Sequence, residues 1–257
     1  MLAEIIAHKR RELAAQQAET ALEAVRGQAE RADPPRDFAG ALKRTDGVRL
    51  LAEIKRSSPS RGVIRTDLSP GDLARIYEEA GAHALSVLTD AKYFLGDGEH
   101  LLEARAVTAL PVLRKDFTLS EYHVYQARAA NADAVLLMAQ VLSLAELTAL
   151  RQLTEELGMT AFVEGHHAHE IEAAVACGAQ VIGINNRDLT NLEIDLATAA
   201  RLRAMIPADR IVISQSGMET AADVRRMAEA GVDAVQIGSS LMASTDLGRK
   251  IREMLAW

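Results

Sequence analysis

The sequence predicts an α/β fold, a closed barrel of eight parallel strands with helices outside and a helical extension at the N-terminus, on three observations. First, the chain four times closes a helix on Gly or Asn and then enters an apolar strand. Gly81 precedes 84–88, Asn131 precedes 134–138, Gly178 precedes 181–184 and Gly231 precedes 234–237. Gly and Asn accept the left-handed conformation that ends a helix. Second, the copies recur roughly every 50 residues, a spacing that suits two strand–helix units. Third, a further strand pattern lies ahead of each copy, at 50–53, 111–114, 160–163 and 210–213. Interleaving gives eight strands, each followed by a helical pattern, in a chain of 257 residues. That is the size of a (β/α)8 or TIM barrel, about 250 residues. A doubly wound open sheet would alternate in the same way, but no G-x-G-x-x-G opens the first helix.

Taken in order, residues 3–31 are rich in strong helix formers, with Leu2, Ile5, Ile6 and Leu13 at helical spacing. They predict a helical lead-in, which Pro34 and Pro35 end. Residues 37–42 resume helix briefly, and the first strand arrives near Val48. Residues 1–47 are thus an extension of a single domain spanning 1–257. The first strand reads LLAEI, and period-two alternation sets Glu53 and Lys55 on one face. Ser57, Ser58, Pro59, Ser60 and Gly62 then predict a donor-rich turn suited to an anion. Outer helices are expected at 71–79, 120–129, 143–157 and 220–229.

Apolar residues make up 49% of the chain and the formal charge is -7. A nucleic-acid partner would require a basic face, so the balance suits an enzyme of small metabolites. The opening MLAEIIAHKRRELAAQQAET carries Glu4, Lys9, Arg10, Arg11 and Glu12 where a signal peptide needs an unbroken apolar run. No later window approaches a membrane span. The lone Cys177 excludes an internal disulfide, leaves too few thiolates for a structural zinc site, and reads as a small buried hydrophobe. We expect a cytoplasmic protein without membrane or nucleic-acid partners.

Catalysis in such a barrel belongs at the C-terminal ends of the strands. Those ends offer Glu53 and Lys55, then Lys115 and Asp116, Glu164, Asn185 with Asn186 and Arg187, Gln215 with Ser216 and Gly217, and finally Gly238 and Ser239. Counting by twos places Lys115 over Leu113, Glu164 over Phe162 and Gln215 over Ile213. These odd-strand residues and Lys55 are expected to converge. Each alone reads as a solvated loop residue, but ammonium groups facing a carboxylate are what acid–base work on an anionic substrate needs. Ser216-Gly217 and Gly238-Ser239 follow the last two strands, where barrels hold phosphate with backbone N–H groups. His166, His167 and His169 read as a surface loop, since no carboxylate spacing completes a metal triad.

The motifs AEIKRSSPSRG, KYFLGD, VLRKDF, DAVLLM, INNRDL, ISQSG and IGSSLM, in this order, resemble those of indole-3-glycerol-phosphate synthase of the tryptophan pathway. The likeness runs from the N-terminal helix to residue 257. It implies closure of 1-(2-carboxyphenylamino)-1-deoxyribulose 5-phosphate to indole-3-glycerol phosphate, with loss of carbon dioxide and water. By the same resemblance Lys115 is the general acid and Glu164 the general base, while Glu53, Lys55 and Asn185 position and polarise the intermediate. Ser58, Arg187, Ser216, Gly217, Gly238 and Ser239 match binding positions, mostly for phosphate, and Phe94 and Phe117 match apolar walls for the anthranilate ring. Neither cofactor nor metal is implied, and a monomer or weak homodimer is expected. A sugar-phosphate isomerase on the same barrel would share the phosphate site but would leave the pair of lysines unexplained. Two departures stand out: Gln215 where the family usually has Glu, and Gly165 where it usually has Val. An amide in place of a carboxylate keeps the shape and loses the charge.

Overall fold

Eight parallel strands close into a barrel in the computed structural model, which describes residues 1–59 and 61–256. Ser60, counted above in the donor-rich turn, lies outside the described residues. The strands are β1 Arg49–Ile54, β2 Ala84–Leu88, β3 Val112–Lys115, β4 Ala134–Met138, β5 Thr160–Gly165, β6 Val181–Asn185, β7 Ile211–Gln215 and β8 Ala234–Ile237. Each pairs with the next in sequence, and β8 returns to β1 through Ala52 opposite Ile237. The expected strands fall within a residue or two of these. The helices expected at 71–79, 120–129, 143–157 and 220–229 are Pro70–Glu79, Glu121–Ala129, Leu144–Glu156 and Ala221–Glu229.

Alternation along each strand separates two cores. Facing inward are Leu51, Leu113, Phe162 and Ile213 from odd strands and the smaller Ala84, Ala134, Val181 and Ala234 from even ones, all buried. Large and small side chains on alternate strands pack together to fill the cylinder. Facing outward, residues such as Leu50, Ala52, Leu85 and Val87 pack beneath the helices. Capping fixes where those helices start: Ser143 and Glu146 bond reciprocally at one, Thr220 and Asp223 at another.

The repeat detected in the sequence has a structural counterpart. Gly81, Asn131, Gly178 and Gly231 all have positive φ, between 61° and 100°. Two residues after three of them, a side chain accepts an N–H from the first or second residue of the preceding strand: His83 Nδ1 from Leu50 N (3.1 Å), Asp133 Oδ2 from Val112 N (2.7 Å) and Asp233 Oδ2 from Val212 N (2.8 Å). Neighbouring strands are thereby stitched at the end of the barrel away from the strand C-termini.

The extension departs from the expectation of one lead-in helix. It forms α1 Leu2–Glu19 and α2 Leu22–Glu30, broken where Thr20 turns extended (φ -130°). Tyr122 donates from its hydroxyl to the carbonyls of Gln16 and Thr20, both at 3.1 Å, and so holds the bend. A short helix, α3 Phe38–Leu42, stoppers the barrel from below, with Phe38 and Leu42 fully buried against the inner core. The turn after β1 is an antiparallel hairpin, Ser57–Ser58 paired with Gly62–Val63.

Candidate active site

The expected site residues line a single cavity at the C-terminal ends of the strands, except Asn186, which is buried and donates from Nδ2 to Ser214 Oγ and the Ser216 carbonyl, both at 3.0 Å. Two linked groups of polar side chains form its floor. In the first, Lys55 Nζ lies 2.6 Å from Glu53 Oε1, and Gln236 Nε2 donates to Glu53 Oε2 at 2.6 Å and to Ser86 Oγ at 3.2 Å. Gln215 Nε2 donates in turn to Gln236 Oε1 at 2.7 Å. In the second, Lys115 Nζ is 3.1 Å from Glu164 Oε2, Asn185 Nδ2 donates to Glu164 Oε1 at 3.1 Å, and the backbone N–H of Arg187 donates to Asn185 Oδ1 at 3.0 Å.

The carboxylates are buried, whereas the two lysines reach toward the opening. Burial pushes the Glu53 carboxyl up, but the ammonium groups of Lys55 and Lys115, with hydrogen bonds from Lys55 and Gln236, outweigh it and hold it below the usual range. Glu53 therefore stays ionised and holds the Lys55 ammonium beside it.

Across the cavity the loops after β7 and β8 bring backbone close. Ser216 (φ 67°) and Gly217 (φ 89°) are successive left-handed residues, and a side chain at Gly217 would strike Ile194 Cγ2 at 2.6 Å. Gly238 caps the short helix Ser239–Met242, whose opening N–H groups have no acceptor within the helix. A Cβ at Gly238 would lie 2.3 Å from Glu53 Oε1, so only glycine permits this approach. Ser58 and Arg187 line the same cavity. The Arg187 guanidinium is pushed down by burial and by nearby Arg61, two cations sharing one region. Phe94 and Phe117, with ring centroids 6.3 Å apart, give an apolar slot.

Sequence reasoning missed several contributors. Gln236 joins Glu53 to Gln215, and counting by twos from Ala234 would have placed it inward. Arg61 also lines the cavity. The extension is part of the mouth as well, because Met1, Leu2 and Ile5 line it. Buried Lys9 holds α1 there, 3.0 Å from both Asp90 Oδ2 and Asp116 Oδ1. Asp116 is thus drawn into this clamp with Arg114, Thr89 and Lys9 rather than toward Glu164. The reading that no carboxylate completes a set with the histidines needs correction. Asp188, from the loop after β6, brings Oδ2 to 3.9 Å from the Nε2 atoms of both His166 and His167.

A parallel barrel that gathers lysines and carboxylates opposite glycine-rich loops is a phosphosubstrate enzyme by fold and by site. The family model described as indole-3-glycerol phosphate synthase matches residues 2–254. A protein of that name from Chloroherpeton thalassium is 45% identical over 249 residues, covering 96% of both chains. Another from Chromobacterium violaceum is 43% identical over 253 residues, covering 97% of this chain and 96% of that one. The chain belongs to the indole-3-glycerol phosphate synthase family, carboxy-lyases of tryptophan biosynthesis. Among solved structures, a mutant tryptophan synthase alpha-subunit from Pyrococcus furiosus superimposes with a TM-score of 0.62 at 12% identity, covering 81% of this chain and 98% of that one. Thiamine phosphate pyrophosphorylase from the same organism gives 0.62 at 16% identity, covering 80% and 93%. These two likenesses concern the barrel alone. Among the described residues, no helix is long and apolar enough to cross a membrane.

Proposed function

We propose that Lys115 is the proton donor and Glu164 the proton acceptor in closing 1-(2-carboxyphenylamino)-1-deoxyribulose 5-phosphate to indole-3-glycerol phosphate. The observation that carries this reading is the 3.1 Å contact between Lys115 Nζ and Glu164 Oε2 on the cavity floor, opposite the loops after β7 and β8. The phosphate rests on Ser216, Gly217, Gly238 and Ser239, with Ser58 and Arg187 beside it, and the anthranilate ring enters the slot of Phe94 and Phe117. Holding both ends folds a flexible chain so that its reacting carbons meet, which supplies much of the acceleration in a ring closure.

Lys115 protonates the ribulose carbonyl oxygen as the ring carbon bearing the carboxylate attacks the carbonyl carbon. Lys55, fixed by Glu53, holds the carboxylate until it leaves as carbon dioxide. Loss of carbon dioxide restores the benzene ring. Glu164, oriented by Asn185, then takes a proton from the carbon next to the new hydroxyl while Lys115, reprotonated from solvent, protonates that hydroxyl, which leaves as water and completes the pyrrole ring. Gln215 and Ser216 border the reacting centre. We assign the whole of 1–257 to one catalytic domain, acting as a cytoplasmic monomer or weak homodimer, because the extension of the same chain completes the mouth.

Lys115→Met tests the assignment. Turnover should fall by about 10²- to 10⁴-fold, the usual contribution of a positioned acid, while a non-reacting substrate analogue binds with nearly unchanged affinity. Equal loss of binding and turnover would show that Lys115 holds the substrate instead.

A further inference from the structure

Strands β5 and β6 end side by side, and their loops carry a group of side chains outside the chemistry assigned above. His166 and His167 follow β5, and Asp188 follows β6. One ligand atom from each of the three lies within 4.8 Å of the other two. Both histidine Nε2 atoms are 3.9 Å from Asp188 Oδ2, and the two rings meet edge to face with centroids 4.6 Å apart. Small side-chain rotations bring such atoms to the bond lengths of about 2.0–2.2 Å that zinc makes with nitrogen and oxygen.

The surrounding bonds orient the ligand atoms. His166 Nδ1 is 2.7 Å from the carbonyl oxygen of Asn185. A carbonyl can only accept, so Nδ1 carries a proton and Nε2, the nitrogen on the side of Asp188, is the one left to bind a metal. Asp188 Oδ1 accepts from the backbone N–H (2.8 Å) and hydroxyl (2.6 Å) of Thr190, which turns Oδ2 toward the histidines. Beneath them, buried Glu170 accepts the backbone N–H groups of His166 (2.7 Å) and His167 (3.1 Å) through one oxygen and fixes where both residues sit. Outer partners that set the tautomer of an imidazole and aim a carboxylate are a regular accompaniment of metal ligands.

We propose that His166, His167 and Asp188 bind one late first-row divalent transition-metal ion, of the zinc class, at the rim of the barrel mouth. The ion fastens the segment after β5 to the loop after β6, and solvent fills its remaining positions. Two imidazoles select against magnesium and calcium, which prefer all-oxygen shells. His169 is not a ligand: its ring stacks on His167 at 5.7 Å, but the side chain is exposed and its Nε2 faces Glu170. The proposal is independent of the roles given to Lys115 and Glu164.

Tag-free protein stripped with chelator is titrated with Zn2+ by calorimetry, and with Co2+ followed by visible absorption. The expected result is one ion per chain, with the d–d band of a four- or five-coordinate cobalt centre and no heat from Mg2+. His167→Ala and Asp188→Asn should each weaken Zn2+ binding by about 10- to 100-fold or more, and His169→Ala should leave it unchanged. His167 is 42% exposed, so its removal spares the core, and circular dichroism checks the fold of each variant. A stoichiometry other than one, or an affinity that survives both ligand variants, would overturn the proposal.

Discussion

At the scale of residues, the amide in place of the family's usual carboxylate is explained by its neighbour. Gln215 donates to Gln236 Oε1, which frees the Gln236 amide to donate to Glu53 Oε2 and Ser86 Oγ. A carboxylate at 215 could only accept. Gln236 would then have to turn its NH2 toward it and set its own carbonyl oxygen against Glu53, where Nε2 now stands at 2.6 Å. Loss of a hydrogen bond to a charged group costs about 1.5–3 kcal/mol, and displaced Glu53 would release its hold on Lys55. Gln215→Glu should therefore lower turnover by about 10- to 100-fold, as steady-state rates would reveal. An increase would mean that the amide pair is a handicap rather than a retuned network.

At the scale of elements, the clamp on α1 turns a surface helix into part of the site. Lys9, only 2% exposed, sits among Asp90, Asp116 and Glu12, and Asp90 and Asp116 belong to the segments that follow β2 and β3. Burial alone would lower the Lys9 ammonium, but Asp116 and Asp90 more than compensate and raise it, so the helix is held by a permanent charge. Deleting one partner of a buried ionic set costs about 3–5 kcal/mol. Lys9→Met should loosen α1, speeding amide hydrogen exchange across residues 2–19 and raising KM through the lost wall of Met1, Leu2 and Ile5. Unaltered exchange there would deny Lys9 this role. The clamp also marks what was legible in the sequence. Local rules sufficed for strands, caps and the inward set Lys115, Glu164 and Gln215, because period-two alternation needs no partner. In the sequence Lys9 counts only as one of the charges that interrupt a signal-peptide run, and Asp188 shows no relation to the histidines, because both meanings depend on contacts between segments distant in sequence. The motifs of the family, rather than the periodicity, separated Lys115 from Lys55 in role.

At the scale of the whole molecule, the barrel holds several ionisable groups in their unprotonated state, and acid should unfold it for that reason. His123 is the clearest. It is buried, its Nδ1 accepts the N–H of Leu119 at 3.1 Å, and burial followed by the charge of Arg114 pushes its pKa down to about 3. An unfolded histidine titrates near 6.5. Between those values the unfolded chain binds a proton that the native chain refuses, so stability rises with pH and falls on acidification by about 1.4 kcal/mol per unit from this group alone. Asp116 works in the same sense lower down. Although burial raises it, Arg114, Lys9 and the Thr89 hydroxyl hold it well below its ordinary value, and its contribution is lost as pH falls below about 4. Urea midpoints measured from pH 7.5 to 4.5 should decline steadily. His123→Asn, which keeps an acceptor for Leu119 and cannot titrate, should remove close to one proton from that slope while leaving stability at pH 7.5 within about 2 kcal/mol of the parent. A slope identical to the parent's would assign acid sensitivity to other groups.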